Sequence, residues 1–279
     1  MKNLLTRSVT GIVYVGLIVG CIFWGHLGVV LLTLLFTVLG VSEFLNMAKK
    51  EKGSFTSLIV DIMGGLILVG GIAGASYSMN DWILLLPIWL IWLIARLILE
   101  LYERKGNPLK NISLSIMSQI YVALPIALLN PLYGVLKSGS FLLLMFILIW
   151  LNDTGAYIFG CSFGKHRLFE SVSPKKSWEG FFGGLIFTVG GAIAARFILP
   201  EFFSIIPWLG WALYGLLVCL MATWGDLVES MFKRTIGVKD SGNLLPGHGG
   251  ILDRIDSLLL VSPMSAIFIL FTVIILGIY

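Results

Sequence analysis

Long apolar runs recur along the whole chain and are separated by short polar segments. Each run extends over about 20 residues, the length that an α-helix needs to cross the hydrocarbon core of a bilayer. Within a run, apolar and polar positions do not alternate as they do in barrel strands. The pattern predicts nine helices, over residues 8–25, 27–47, 57–77, 82–101, 112–130, 139–160, 180–199, 208–232 and 256–278.

The composition agrees with a membrane protein. Of the 279 residues, 58% are hydrophobic and only 12% are charged, and the mean hydropathy is +0.97. Soluble domains carry about 25% charged residues. We therefore expect an all-α, polytopic helical bundle with one membrane domain over residues 1–279. Its N-terminal spans would occupy 1–138, and its C-terminal spans and the loops with the active site 139–279.

The basic residues lie on one side of the predicted helices. Sixteen of the 19 lysines and arginines fall at the N-terminus or in every second connection between predicted spans. Cytoplasmic loops are the ones enriched in lysine and arginine. The distribution predicts a cytoplasmic N-terminus and, with nine spans, a C-terminus outside. The modest net charge of +4, placed on one side, favours lipid headgroups or phosphates over nucleic acid as partners.

Polar and acidic residues interrupt three of the apolar runs. A carboxylate at membrane depth is costly, so it usually faces a wet or paired interior. Two of the pairs, Asp226 with Glu229 and Asp253 with Asp256, are spaced three residues apart and so share a helix face. Converging carboxylates suit a hard cation such as Mg²⁺, and two acidic helix ends can hold one ion or two. The third place holds Asn152 and Asp153.

Structural roles are also open for these acids. Asp253 has the position of an N-cap for the ninth helix, and Asp226 could pair with Lys233 or Arg234 near the interface. Three acidic places beside the same predicted cytoplasmic loops favour a shared function.

A glycine-rich loop precedes the ninth helix, in the sequence GHGGILDRID at 247–256. Gly249 and Gly250 permit close approach of the backbone to a ligand, and a loop that enters a helix N-terminus presents N–H groups to an anion. His248 could contact a phosphate or simply stabilise the loop. Basic residues surround this loop, namely Lys233, Arg234, Lys239 and Arg254. Bases for phosphate beside acids for Mg²⁺ are typical of a nucleoside-triphosphate site, although the chain lacks the P-loop motif.

The connection between the sixth and seventh predicted helices is also basic, with SPKKSWEG at 173–180. Lys175 and Lys176 can bind phosphate as mobile point charges. The alternative is an ordinary cytoplasmic loop in which Trp178 lies at the membrane interface.

The segment from Ser230 to Asp256, which we term the signature segment, reads SMFKRTIGVKDSGNLLPGHGGILDRID. It resembles the signature of the phosphatidate cytidylyltransferases, or CDP-diacylglycerol synthases, without a departure. Upstream, NDTGAYIFG and GKHRLFESVSPKKSWEG are also similar to that family, with Ser177 where threonine is expected. The specific resemblance covers residues 150–256.

The resemblance implies that CTP and phosphatidate react to give CDP-diacylglycerol and pyrophosphate, with Mg²⁺ and an optional second cation. It also implies a multi-pass protein of the bacterial inner membrane, or of an organelle, with its active site facing the cytoplasm, in a family whose members are often homodimers. Asp226, Asp253 and Asp256 are assigned to the metal. The assigned catalytic basic residues are Lys233, Arg234, Lys239 and Arg254. The assigned substrate-binding residues are Asn152, Asp153, Lys175, Lys176, Ser177, Ser230, His248, Gly249 and Gly250.

Two other functions compete with this one. A CTP-dependent lipid kinase, or a cytidylyltransferase for a different lipid phosphate, would have similar site chemistry. An ion-coupled transporter would instead spread its acidic residues through the depth of the membrane, whereas here they lie beside glycine-rich and basic loops.

Overall fold

A computed structural model describes residues 2–50, 56–77, 82–103, 105–136, 139–244 and 249–276. His248 therefore lies outside the described residues. Over the described ranges the regular secondary structure is helical apart from one small hairpin, as the apolar runs predict. Backbone groups inside a bilayer must be satisfied within the protein, and a helix satisfies them within each segment.

The helices of the N-terminal half follow one another closely. They are α1 (Lys2–Trp24), α2 (His26–Ala48), α3 (Leu58–Tyr77), α4 (Trp82–Glu103), α5 (Pro108–Met117), α6 (Leu124–Ala127) and α7 (Leu129–Gly134), with a π-helical turn, Ser118–Ala123, between α5 and α6. Gly25 separates α1 from α2 with a φ of 105°, a conformation that glycine adopts without strain. Asn107 caps α5 by accepting a bond from the Lys110 N–H.

The C-terminal half contains α8 (Ser140–Phe163), a hairpin, and four further helices. The strands β1 (Arg167–Phe169) and β2 (Ser173–Ser177) pair antiparallel. The remaining helices are α9 (Trp178–Ile198), α10 (Pro200–Phe203), α11 (Trp208–Ile236) and α12 (Leu252–Leu276). Each of the nine predicted ranges overlaps helix, whereas the hairpin and α10 were not predicted.

Seven helical segments of the described chain are long and apolar enough to cross a membrane. They are His26–Ala48, Leu58–Ser76, Pro108–Gly134, Ser140–Phe163, Trp178–Ile198, Trp208–Ile236 and Leu252–Ile275. A shorter apolar stretch, Val9–Trp24, lies in α1, and α4 contains Arg96 and two glutamates. The prediction of a polytopic helical membrane protein is confirmed. The count of nine spans and the orientation of the termini stay predictions.

The chain divides into two compact units. The first comprises Met1–Gly134 and Thr235–Ile255, and the second comprises Val135–Arg234 and Asp256–Tyr279. The boundary after Gly134 lies close to the predicted one at 138. Residues 235–255, which the sequence analysis grouped with the C-terminal spans, belong to the first unit.

The first unit contains a buried ionic network between α3, α4 and α5. Arg96 is fully buried and pairs with Glu100 at 2.8 Å and with Asp61 at 3.4 Å. Ser115 donates to Asp61, and Asn111 donates to Glu100. Buried charges are tolerated when they are paired and hydrogen-bonded in this way, so the network joins three helices at fixed positions.

In the second unit, α8 and α9 pack with almost no space between their backbones. A Cβ on Gly155 would lie 2.6 Å from the carbonyl oxygen of Gly183, and one on Gly183 would lie 2.7 Å from that of Gly155. Small residues permit this close approach of helices in membranes. The contact fixes the N-terminus of α9 beside α8, which positions the cavity described next.

Candidate active site

A cavity of about 330 Å³ lies in the second unit, lined by parts of α8, the hairpin, α9 and α11. Ser177 ends β2 and caps α9, where its hydroxyl accepts a bond from the Gly180 N–H at 3.2 Å. The cap explains why the hairpin leads directly into the helix. The polar residues of the lining are Asn152, Asp153, Lys175, Lys176, Ser177, Thr223 and Asp226. Five of them were predicted substrate-binding residues and one a predicted metal ligand, so the structure brings these six together.

Three carboxylates converge around Asp226, which lines the cavity. Asp226 and Glu229 follow one another by one helical turn, and Asp256 comes from α12. One oxygen from each lies within 4.8 Å of the other two. Helices α11 and α12 approach closely because Gly225 has no side chain: a Cβ there would lie 2.7 Å from the carbonyl oxygen of Asp256. We call these three residues the acidic group.

Two lysines partly neutralise the acidic group. The Lys176 Nζ lies 2.9 Å from Asp226 Oδ2 and also donates to the carbonyl oxygen of Thr223 at 3.1 Å. The Lys233 Nζ lies 2.6 Å from Glu229 Oε2. Three carboxylates with two ammonium groups leave a net negative charge when all five are ionised. A further cation would neutralise that charge.

The acidic group has the chemistry of a divalent-cation site. Mg²⁺ prefers oxygen ligands at about 2.1 Å, so two oxygens on one ion lie at most about 4.2 Å apart. The separations of up to 4.8 Å in the acidic group are within reach of that limit by small carboxylate rotations. The residues fit Mg²⁺, and their oxygen-only donor set is unlike that of a zinc site.

Other predicted residues of the second unit support this arrangement. Ser230 donates from its hydroxyl to Asp226 Oδ1 at 3.1 Å. Asn152 is only 3% exposed, and its Oδ1 is buried without a hydrogen-bond partner among the described residues. Arg234 donates from Nε to the carbonyl oxygen of Val172 at 3.4 Å, which ties the end of α11 to the hairpin.

The rest of the predicted site belongs to the first unit, in residues 235–255. Asp253 accepts bonds from the Ser241 N–H at 3.0 Å and from the Gly250 N–H at 2.8 Å. Gly249 has a φ of 83°, and a Cβ there would meet the Asp253 carboxylate. Among the described residues, Asp253 is not a member of the acidic group. Its contacts fasten the glycine loop, and its role as a metal ligand stays a prediction.

Two acidic residues lie outside the sequence-based assignments. Spacing pairs Glu229 with Asp226, but the predicted metal ligands are Asp226, Asp253 and Asp256. Glu43 was not considered, yet it is the only charged residue in α2 and its carboxylate binds residues of the signature segment. The available signal was the one used elsewhere, a carboxylate within an apolar run.

Comparison with known proteins identifies the family. The model of the cytidylyltransferase family matches residues 5–272, nearly the whole chain. The chain therefore belongs to the cytidylyltransferase family, a class of nucleotidyltransferase enzymes. The resemblance inferred from the signature segment is confirmed.

Individual relatives carry a more specific name than the family. The chain is 33% identical to the phosphatidate cytidylyltransferase of Staphylococcus haemolyticus over 267 residues, covering 95% of this chain and 98% of the relative. It is 32% identical to the enzyme of that name from Staphylococcus epidermidis over 269 residues, with 95% and 99% covered. For that of Staphylococcus aureus the identity is 31%, with 95% and 98% covered.

Proposed function

We propose that the protein transfers the cytidylyl group of CTP to phosphatidate and releases CDP-diacylglycerol and pyrophosphate. The convergence of Asp226, Glu229 and Asp256 beside a cavity that contains Lys176 is the observation that carries the proposal. Family membership and the shared name of the relatives support the same reaction. The membrane spans support a lipid substrate, because phosphatidate is held in the bilayer.

The reaction needs positioning and charge neutralisation more than acid–base chemistry. A phosphate oxygen of phosphatidate attacks the α-phosphorus of CTP, a new P–O bond forms, and the bond from that phosphorus to the bridging oxygen breaks. Pyrophosphate leaves with the electron pair. The attacking oxygen is already anionic, so the barrier comes from joining two polyanions and from the charge on the leaving group.

In this proposal Asp226, Glu229 and Asp256 would hold Mg²⁺, which when bound would neutralise phosphate charge. Lys176 orients Asp226 through their ion pair. Its ammonium group also lies in the lining of the cavity, where it can contact a phosphate. Lys233 balances Glu229. Asp253 keeps its sequence-based assignment to the metal as a prediction, and its hydrogen bonds support a second role in fixing the glycine loop.

The remaining assignments concern substrate binding. Lys175 is exposed at the cavity and suits a mobile phosphate contact. Asn152 and Asp153 line the polar wall, with Ser177 and Ser230 beside it. The signature residues proposed for the triphosphate or the lipid phosphate are Arg234, Lys239, His248, Gly249, Gly250 and Arg254.

We further propose that the protein lies in the bacterial inner membrane as a homodimer, with the site facing the cytoplasm. The one-sided distribution of lysine and arginine supports this orientation. A site at that boundary is where cytosolic CTP and a lipid headgroup can meet.

The test is an assay of the purified protein in detergent with labelled CTP, a panel of lipid phosphates and a Mg²⁺ titration. We expect CDP-diacylglycerol and pyrophosphate in equal amounts, only when Mg²⁺ is present. Asp226→Asn and Asp256→Asn each keep the side-chain shape and remove a charge, so kcat should fall by at least about 100-fold. Glu201→Gln, at an exposed glutamate of α10, is the control and should leave kcat unchanged.

The products separate the competing functions. A CTP-dependent lipid kinase would release CDP, a different lipid specificity would appear in the substrate panel, and a transporter would not consume CTP. Wild-type turnover in both asparagine variants would remove the acidic group from the reaction.

A further inference from the structure

Glu43 joins α2 to the signature segment from outside the proposed catalytic residues. It is half-buried in the first unit, in a helix that is otherwise uncharged. Its Oε2 accepts a bond from the Leu252 N–H at 2.9 Å and another from the Ser241 hydroxyl at 3.2 Å. One carboxylate oxygen therefore accepts hydrogen bonds from Ser241 and from Leu252, which lie at the two ends of a stretch of the signature segment.

The bond to Leu252 has a clear physical role. Leu252 is the first residue of α12, and the first N–H groups of a helix have no partner within it. The N-terminus also carries a partial positive charge, so a carboxylate there is stabilising. Glu43 thus caps α12 from a different helix and fixes where the first turn of α12 begins. That turn carries Asp253, and the same helix carries Asp256.

Ser241 extends the contact to Asp253. Its hydroxyl donates to Glu43, while its backbone N–H donates to Asp253 at 3.0 Å. Asp253 in turn accepts the Gly250 N–H at 2.8 Å. The two carboxylates hold the described ends of the stretch 241–252 in one place.

Two signature glycines fit closely around the Glu43 carboxylate. A Cβ on Gly242 would lie 2.7 Å from Glu43 Oε1, and one on Gly250 would meet both Glu43 Oε2 and the Ser241 hydroxyl. No real Cβ takes such positions without a shift of its neighbours. These glycines therefore leave room for the Glu43 carboxylate.

We propose that Glu43 is a positioning residue that holds Ser241 and Leu252 of the signature segment against α2 and caps α12. It touches no reacting atom in this role. Its catalytic consequence rests on the proposed function, because the segment it holds carries residues assigned to phosphate and metal. Its structural consequence, a Leu252 N–H protected from exchange, stands independently of any activity.

The first experiment measures hydrogen exchange by mass spectrometry in detergent, without substrate. Glu43→Gln keeps the size of the side chain and removes its charge. Peptides that cover 249–256 should exchange about tenfold faster or more, since a charge-assisted bond to the Leu252 N–H is weakened. Glu201→Gln, the same change at an exposed site, should leave these peptides unchanged. Unchanged exchange in Glu43→Gln would overturn the proposal.

A second variant covers the case in which Glu43→Gln does not fold. Ser241→Ala removes only the hydroxyl that donates to Glu43 and should speed exchange in the same peptides to a smaller degree. Ser42→Ala is its control, because the Ser42 hydroxyl donates within α2, to Leu39. Equal exchange in Ser241→Ala and Ser42→Ala would exclude the Glu43–Ser241 contact.

Activity then tests the catalytic consequence. Glu43→Gln should lower kcat about tenfold or more in protein that is still folded, and Glu43→Asp, which keeps the charge on a shorter stem, should recover part of it. Glu43→Gln with Ser241→Ala should be little worse than Glu43→Gln alone, because both remove one shared bond. Fully additive losses would show independent roles and contradict the proposal. An inactive wild-type protein would sink the proposed function while the exchange result still decides the role of Glu43.

Discussion

At the scale of single residues, the two lysines of the acidic group have different surroundings. Lys176 is 25% exposed and pairs with Asp226, whose side chain is 37% exposed. Lys233 is 10% exposed and pairs with the fully buried Glu229. A partly hydrated pair can exchange partners with a ligand, whereas a buried pair is costly to break. Lys176 is therefore the better candidate to meet an incoming phosphate.

Lys176→Met should reduce kcat/KM for CTP by about 10- to 100-fold. It removes a positive charge from the cavity and leaves Asp226 without its ion pair to Lys176. Lys176→Arg keeps the charge and should recover part of the loss. Initial rates at varied CTP concentration measure kcat and KM. Lys50→Met, at an exposed lysine beyond α2, is the matched control. A Lys176→Met variant with both parameters unchanged would place Lys176 outside the reaction.

Residue spacing carried part of the site prediction. Asp226 and Glu229 share a face of α11 as their spacing implied, because helix geometry fixes side chains three positions apart. The same rule placed Asp253 with Asp256, but the rule does not say which partner each side chain finds. Backbone N–H groups of residues 241 and 250 bind Asp253, and this loop geometry is not visible in the spacing.

At the scale of elements, the α8–α9 contact governs the cavity. Both helices contribute lining residues, and glycines on the two facing sides set the distance between them. Close packing of this kind has little tolerance for an added methyl group. The position of α9 relative to α8 is therefore sensitive to single substitutions at the contact.

Gly183→Ala should destabilise the protein by about 1–3 kcal/mol, because its Cβ would lie 2.5 Å from Phe159 Cβ and 2.7 Å from the Gly155 oxygen. Gly190→Ala, on the same helix with nothing within 4 Å, should be neutral or stabilising by up to about 1 kcal/mol. Thermal unfolding in detergent compares them. Equal midpoints for both variants would show that the contact adapts freely.

The hairpin is the element that the sequence concealed. Its strands have only three and five residues, and Pro174 lies within the polar strand β2, so no alternating pattern marks them. Contacts from distant parts of the second unit support it, including the Arg234 bond to Val172. The His166 Nδ1 also lies 2.6 Å from Glu179 Oε1. These contacts hold Lys175 and Lys176 on a defined strand where a loose basic loop was expected.

At the scale of the whole molecule, the distribution of basic residues predicts how the protein lies in the bilayer. Green fluorescent protein fused at the N-terminus should fluoresce in a bacterial host, because that end is predicted to be cytoplasmic. Fused at the C-terminus it should be dark, and alkaline phosphatase there should be active. A bright C-terminal fusion together with a bright N-terminal fusion would contradict the odd number of spans.

The sequence by itself determined the class of protein and the residue types that make up the candidate site. Composition and run length identify a membrane protein because they fix which solvent the surface can face. The signature segment identified the family because many residue types recur at set positions. Neither inference needs knowledge of how distant parts of the chain meet.

Only the tertiary structure decided which of these residues meet. Asp256 joins Asp226 and Glu229, Lys176 reaches Asp226, and Glu43 caps a helix far along the chain. Such pairs depend on the depth, rotation and spacing of packed helices, which arise from many contacts at once. A local pattern specifies the face on which a side chain lies, and the packing of the whole unit specifies what it faces.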